Sequence, residues 1–221
     1  MINGFDELNT LKTVKTIKTE KKSKIRSIPY EEYFSIMRLT YEQKKQRIRF
    51  AELLEDDLIM IMTLWAETRR YNITTDTFIV EELRNAYIKA ATSFGVPSDG
   101  YLSDIAYAFA LNFVDALRDH SDDEWYTSED RAKYNAENEA NTVLNYKDFT
   151  EAKGKYKYKV WHTENDSRVR PTHIPLEGER IPIDDLYVVG EALMRFPHDY
   201  EYAADYPEEL VNCRCSLTYS N

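Results

Sequence analysis

The chain has 221 residues, a hydrophobic content of 43% and a formal net charge of −10 at pH 7. The charge is uneven, because residues 1–28 sum to +4 and the remainder to −14. An acidic body of this kind is not held on a phosphate backbone by long-range attraction, which excludes binding to nucleic acid through overall charge. No apolar run approaches the ~18 residues of a membrane span, and the first residues lack the apolar core of a signal peptide. We therefore expect a soluble protein, without membrane contact, that is made in a reducing cytoplasm.

A basic segment opens the chain. Residues 10–21 repeat a threonine-to-lysine pattern with a period of three, which fits neither a helical stripe nor strand alternation. We predict a flexible arm over residues 1–28 that either stays solvated or orders on nucleic acid or an acidic protein face. The basic residues of this arm are Lys12, Lys15, Lys18, Lys21, Lys22, Lys24 and Arg26.

The first long stretch after the arm has the apolar spacing of amphipathic helices. Pro29 stands where a helix can begin, and the helical pattern then runs from Tyr30 to Tyr71 with a break near Thr40. We predict that residues 72–75 form a connection. The apolar residues at three- and four-residue steps are Ile36, Met37, Phe50, Leu53, Leu54, Ile61, Leu64 and Trp65.

Three more helices are predicted up to about residue 150. The first begins at Asp76 and reaches Phe94, the second is capped by Ser103, and the third is capped by Thr127 or Ser128. The third helix is expected to cover residues 129–152. Residues 29–150 therefore form a predicted helical segment.

The residue pattern changes from helical to strand-like after Gly154. Lysines alternate with Tyr156, Tyr158 and Val160, which predicts a half-buried strand with the two sets of side chains on opposite sides. The last predicted strand runs from Cys213 to Tyr219. We expect an α+β protein, in which the helical segment is followed, at residues 151–221, by a small mixed α/β domain with a short antiparallel sheet.

This C-terminal part concentrates the residues that can carry chemistry. Cys213 and Cys215 lie two residues apart, so in a strand both thiols point the same way and could reach one ion. His173 could be a third ligand, with His198 or Asp199 as a fourth. The alternative is that two small buried thiols simply pack on the sheet.

The sequence leaves two further interpretations open for the polar residues after the strand. Asp166, His173 and the nearby arginines could supply a general base and an anion clamp, as in a metal-assisted nuclease or hydrolase that also uses Asp199 and the cysteines. Alternatively, Asp166 accepts backbone N–H groups and pairs with Arg168 or Arg170, and His173 donates to a carbonyl. In that interpretation the polar residues hold a small domain together.

The order of these blocks resembles the phage Mu F-like minor head protein family, also called phage head morphogenesis proteins. The resemblance covers about residues 160–217. A helix over residues 128–145 resembles the helix of the family at Ala136, Asn138, Glu139 and Asn145, although Glu137 stands where arginine is usual, and His198 replaces the usual glycine. The motif residues are Trp161, Asp166, Arg168, Arg170, His173, Gly178, Phe196, Pro197, Asp199, Asn212, Cys213, Arg214 and Cys215.

The resemblance implies a structural role. Family members are minor components of tailed-phage heads, enter during procapsid assembly and associate with the portal, and some affect DNA delivery. It implies no catalytic residues to transfer. We expect no cofactor and assign no metal ligands, although the question whether Cys213 and Cys215 bind a metal with His173 stays open, and we expect no toxin or nuclease domain after the head domain. The implied partners are the portal, capsid or scaffold proteins, with a possible DNA contact through the arm. The implied locations are the phage head interior and, during assembly, the host bacterial cytoplasm.

Overall fold

The computed structural model describes residues 28–70 and 76–221. All seven basic residues of the predicted arm, and the predicted connection at 72–75, lie outside the described residues. Of the predicted arm, residues 1–27 lie outside the described part of the chain.

The described part of the chain is mostly helical, with a small antiparallel sheet near its C-terminus, so the predicted α+β class is confirmed. One-turn 3₁₀ helices occur at Glu124–Thr127 and Ile174–Leu176. The α-helices are α1 (Tyr30–Ser35), α2 (Tyr41–Arg70), α3 (Asp76–Ser93), α4 (Gly100–Asp119), α5 (Glu129–Ala152), α6 (Tyr200–Ala203) and α7 (Pro207–Leu210).

The helix boundaries follow local sequence signals. The predicted break near Thr40 separates α1 from α2, and Ser128 caps α5 by accepting a hydrogen bond from the N–H of Arg131. The predicted Ser103 cap was wrong, because α4 begins earlier, where the Asp99 carboxylate accepts from the N–H of Leu102. An aspartate is as good an N-cap as a serine, so composition alone did not choose between the two positions.

The strands form two antiparallel sheets. They are β1 (Tyr158–His162), β2 (Arg180–Pro182), β3 (Tyr187–Val189), β4 (Ala192–Met194) and β5 (Ser216–Ser220). Strand β1 is central in a three-stranded sheet between β2 and β5, with Val160 opposite Arg180 on one side and Trp161 opposite Leu217 on the other. Strands β3 and β4 form a hairpin of their own.

Strand β1 alternates as predicted, but its lysine side is the one that turns inward. Lys159 and Trp161 are fully buried, whereas Tyr158 and Val160 are only partly covered. The burial of Lys159 is possible because its Nζ donates to the carbonyls of Asp185 and Arg195, at 2.6 and 2.8 Å. Two backbone acceptors thus replace the water that the ammonium group loses.

One hydrophobic core connects the helices with the sheet. It includes Phe50 of α2, Phe149 of α5, Trp161 of β1 and Phe196 after β4. Two residues that the apolar spacing suggested for the core, Ile36 and Leu53, are instead exposed. Among the described residues, the helices are all too short or too polar to cross a bilayer.

Candidate functional site

Helix α5 brings the predicted motif blocks together. Asn138 accepts a hydrogen bond from the backbone N–H of Asn212, at 2.9 Å. Asn145 donates to the carbonyl of Pro197, at 3.2 Å, and accepts from the buried Arg47 of α2, at 2.8 Å. Two amides on one helix face therefore hold the block after β4, the block before β5 and helix α2.

Asp166, in the loop after β1, is paired mainly with an arginine that lies far away in the sequence. Arg214 donates to both carboxylate oxygens, at 2.7 and 2.8 Å, and Arg168 lies at 3.3 Å. Hydrogen bonds from Arg214 lower the pKa of the Asp166 carboxyl far below its ordinary value. Arg170, the other suggested partner, donates instead to the backbone carbonyl of Val211. The aspartate thus connects the loop after β1 to the segment before β5.

His173 lies in a buried cluster with both cysteines. Its Nδ1 is 3.4 Å from the Sγ of Cys215 and 3.6 Å from the Sγ of Cys213. The other ring nitrogen, Nε2, is 3.0 Å from the Glu209 carboxylate and not, as predicted, bonded to a carbonyl. Burial opposes thiol ionisation, but the neighbouring Cys215 and His173 lower the pKa of Cys213. The cluster is the part of the site that could hold a metal ion.

The cysteines do not lie in a strand, as predicted, because β5 begins only at Ser216. They reach the same place through a turn, in which Asn212 has a left-handed backbone with φ of 60° and the Cys213 N–H bonds to the Leu210 carbonyl. The two thiols are therefore neighbours, as predicted, but the turn and not strand alternation brings them together.

The fourth ligands suggested by the sequence are both engaged elsewhere. Asp199 is fully buried and accepts from the side chain and the backbone N–H of Arg195, at 2.7 to 2.9 Å. His198 bonds through Nε2 to the Cys213 carbonyl, at 2.6 Å, and contacts Thr142 through Nδ1. Asp199 therefore stabilises the turn after β4 and is not directed at the thiols.

The backbone at His198 suits the glycine that the resemblance led us to expect at this position. His198 has φ of 69°, a left-handed conformation that is costly for most residues and free of that cost for glycine. Its two ring contacts offset this cost by fixing the imidazole between α5 and the segment before β5.

The remaining motif residues pack in the core or close a turn. Trp161 is fully buried with its ring against Tyr187, and Phe196 packs against Phe149 at 5.1 Å between ring centroids. Gly178 has φ of 77°, and its N–H donates to the Trp161 carbonyl at 2.8 Å, which closes the turn before β2.

Two residues that complete the site, one acceptor and one donor, were not predicted from the sequence. Glu209, in α7, accepts from Thr172 as well as facing His173, and Arg195 holds Asp199. Neither residue stands in a spacing pattern that sets it apart from the many exposed acids and arginines of the chain. Only the folded arrangement identifies them.

A groove of about 490 Å³ lies beside this network. Its floor includes Glu137 of α5, and burial raises the pKa of that carboxyl to about 7. Trp125 is 40% exposed and the Arg168 side chain 62% exposed at its rim. The groove is lined by Ile28, Tyr33, Trp125, Asp130, Lys133, Tyr134, Glu137, Arg168, Arg170, Asn212 and Arg214.

Comparison with known proteins defines the class. Residues 111–218 match the family described as phage Mu protein F like protein, from within α4 to within β5. Residues 111–218 therefore form a phage Mu F-like region, and the match supports a phage head morphogenesis protein. The match includes α5, whose asparagines hold the motif blocks. No curated protein and no solved structure matches the chain.

Proposed function

We propose that this protein is a minor structural component of a tailed-phage head that binds the portal protein during assembly. The observation that carries this proposal is the family match over 111–218, combined with a motif network whose charged groups bind one another. Asp166 is held by Arg214, and Asp199 by Arg195. Carboxylates that are paired with arginines in this way support a structural role for the network more than a catalytic one.

The groove beside the network is the proposed contact surface for the portal. Its lining has four cationic side chains (Lys133, Arg168, Arg170 and Arg214) against two carboxyl groups (Asp130 and Glu137), so it is less acidic than the chain beyond residue 28, which carries −14. Exposed Trp125 and Tyr134 provide aromatic surface at the same rim, and aromatic residues with arginine are typical of the centres of protein interfaces. The groove fits a portal segment that carries an apolar side chain flanked by carboxylates.

Binding to the portal of the same phage tests this assignment. The double variant Trp125→Ala with Arg168→Glu should weaken binding by about tenfold or more, since central aromatic and arginine side chains dominate interface energies. The matched control is Tyr107→Ala with Arg118→Glu, which changes another exposed aromatic residue and another exposed arginine on α4. Equal affinities of the two double variants would contradict the assignment of the groove.

The basic arm is proposed to contact packaged DNA, or else an acidic portal face. Its seven lysines and arginines are the main positive block of an acidic chain. Removing residues 1–27 should weaken DNA binding and reduce its dependence on salt, because fewer counterions are released. Unchanged, salt-insensitive association with both DNA and the portal would contradict this part of the proposal.

A further inference from the structure

The buried cluster of His173, Cys213 and Cys215 has no part in the proposed portal contact. The three potential ligand atoms, Nδ1 and the two Sγ, all lie within 4.8 Å of one another. Each of the three residues is at most 4% exposed. Among the described residues, this is the one group of three or more such side chains whose ligand atoms converge in this way.

The distances within the cluster match the edges of a zinc coordination tetrahedron. Zinc binds thiolate sulfur at about 2.3 Å and imidazole nitrogen at about 2.0–2.1 Å, so tetrahedral angles place the nitrogen about 3.5 Å from each sulfur. The two Nδ1–Sγ distances of His173 are 3.4 and 3.6 Å. A single imidazole nitrogen has one proton or one lone pair and forms one good hydrogen bond, whereas a shared ion accounts for both distances at once.

The outer partner of His173 is the kind that metal-binding histidines use. Glu209 lies 3.0 Å from Nε2 and is itself fixed by Thr172, whose hydroxyl donates to it at 2.7 Å. A carboxylate on one ring nitrogen fixes the proton there and leaves the other nitrogen free to bind an ion. Here that free nitrogen is Nδ1, which faces the thiols.

The β3–β4 turn leaves space for the Glu209 carboxylate because it has a glycine there. Gly190, in the β3–β4 turn, has φ of 62°, and a Cβ at this position would lie 2.6 Å from Oε1 of Glu209. The turn therefore requires glycine both for its conformation and for the carboxylate beside it.

A small cavity lies next to the cluster. A cavity of about 10 Å³, close to the volume that one water needs, is lined by His173, both cysteines and Glu164. Oε1 of Glu164 is buried and has no hydrogen-bond partner among the described residues. A water molecule in this cavity would donate to that oxygen.

We propose that His173, Cys213 and Cys215 bind a zinc ion, with a water molecule that donates to Glu164 as the fourth ligand. Two thiolates and one neutral imidazole cancel the charge of a divalent ion, so the buried complex is neutral. Thiolate with imidazole is a donor set that suits zinc. The ion joins the turn before Ile174 to the segment before β5 and so closes the motif network from inside.

The first test uses the unaltered chain, without a polyhistidine tag and with its thiols reduced. Mass spectrometry of the elements should find about one zinc per chain. Replacement by cobalt should give the intense visible bands of a tetrahedral site and a thiolate-to-cobalt charge-transfer band. Because the chain has two cysteines, that band can arise only from Cys213 and Cys215. Chains free of metal, or cobalt bands without thiolate character, would overturn the proposal.

Variants then assign the ligands. His173→Gln and the double variant Cys213→Ser with Cys215→Ser should lose the bound ion, while His162→Gln, which changes a histidine outside the cluster, should keep it. Glu209→Gln should keep the site but weaken zinc binding by about 10- to 100-fold. Zinc retained at full stoichiometry by the two ligand variants would show an adventitious ion elsewhere and overturn the proposal. If these variants do not fold, the cobalt spectrum of the unaltered chain still decides.

Discussion

Arg214 holds Asp166 with two hydrogen bonds across 48 residues of sequence, at 2.8 Å to Oδ2 and 2.7 Å to Oδ1. This pair fastens the loop after β1 to the segment that leads into β5. Forked guanidinium–carboxylate pairs of this geometry are among the stronger polar contacts in proteins.

Replacing Asp166 by alanine should lower the free energy of unfolding by about 1–3 kcal/mol, because the nearly buried Arg214 side chain loses its acceptor. Chemical denaturation measures this difference. Asp122→Ala, at an exposed position before the first 3₁₀ helix, is the control and should change stability by less than about 0.5 kcal/mol. An unchanged midpoint for Asp166→Ala would argue against an architectural role for the pair.

Asn145 should be costly to remove, because it serves two partners at once. Asn145→Ala removes the amide acceptor of buried Arg47, which keeps only its contact with the Asp148 carboxylate and a long contact with a backbone carbonyl, and it also removes the donor to the Pro197 carbonyl. We expect a loss of about 2–3 kcal/mol in unfolding free energy. Asn85→Ala, at an exposed position of α3, should be nearly neutral. Equal stability of the two variants would mean that α5 does not anchor the motif blocks.

Two glycines with left-handed backbones separate conformational strain from steric contact. Gly190→Ala and Gly154→Ala both force alanine into positive φ, but only at Gly190 would the new Cβ meet side chains, those of Glu209 and Thr172. In both variants backbone strain should lower the free energy of unfolding by about 1–2 kcal/mol. Gly190→Ala should lose about 1–3 kcal/mol more from overpacking. Thermal and chemical denaturation of the pair would show this difference, and identical losses would contradict the close approach to Glu209.

Glu139 should make the fold less stable in mildly alkaline solution. Burial raises the pKa of this carboxyl to about 7, while its ordinary value is 4.5. Because the folded-state pKa is the higher one, the associated stability is complete below about pH 4.5 and is lost as the pH rises through about 7. Glu139→Gln can still accept a hydrogen bond from Tyr87. At pH 8 its free energy of unfolding should therefore be about 1–3 kcal/mol higher than that of the unaltered chain, and near pH 4.5 the two values should be equal.

The control for this pH prediction lies on the surface. Glu208→Gln, at an exposed position of α7, should leave the pH profile unchanged. If the profile of Glu139→Gln ran parallel to that of the unaltered chain from pH 4.5 to 8, Glu139 would not be the titrating group.

Local sequence signals predicted the helices well and the contacts between them poorly. The break near Thr40 and the Ser128 cap depend on neighbouring residues, so the sequence shows them directly. The inward side of β1 depends instead on two carbonyls, of Asp185 and Arg195, that only the fold brings to Lys159. Alternation in a strand identifies two faces, but the rest of the molecule decides which one is buried.

The candidate site shows the same division. The sequence identified His173, Cys213 and Cys215 as candidate metal ligands, and the structure brings them together. Glu209, which completes the cluster, lies 36 residues from His173 and looks like any exposed acid at the start of a short helix. Its role follows from burial, which the sequence does not report for a single residue.

The central claim, that the protein is a structural part of a phage head, is tested most directly on particles. Heads purified from the phage or lysogen that encodes this chain should contain the polypeptide, as quantified by mass spectrometry, and it should remain with the portal when the shells are dissociated. Heads that assemble normally from this phage and contain none of the polypeptide would contradict the claim.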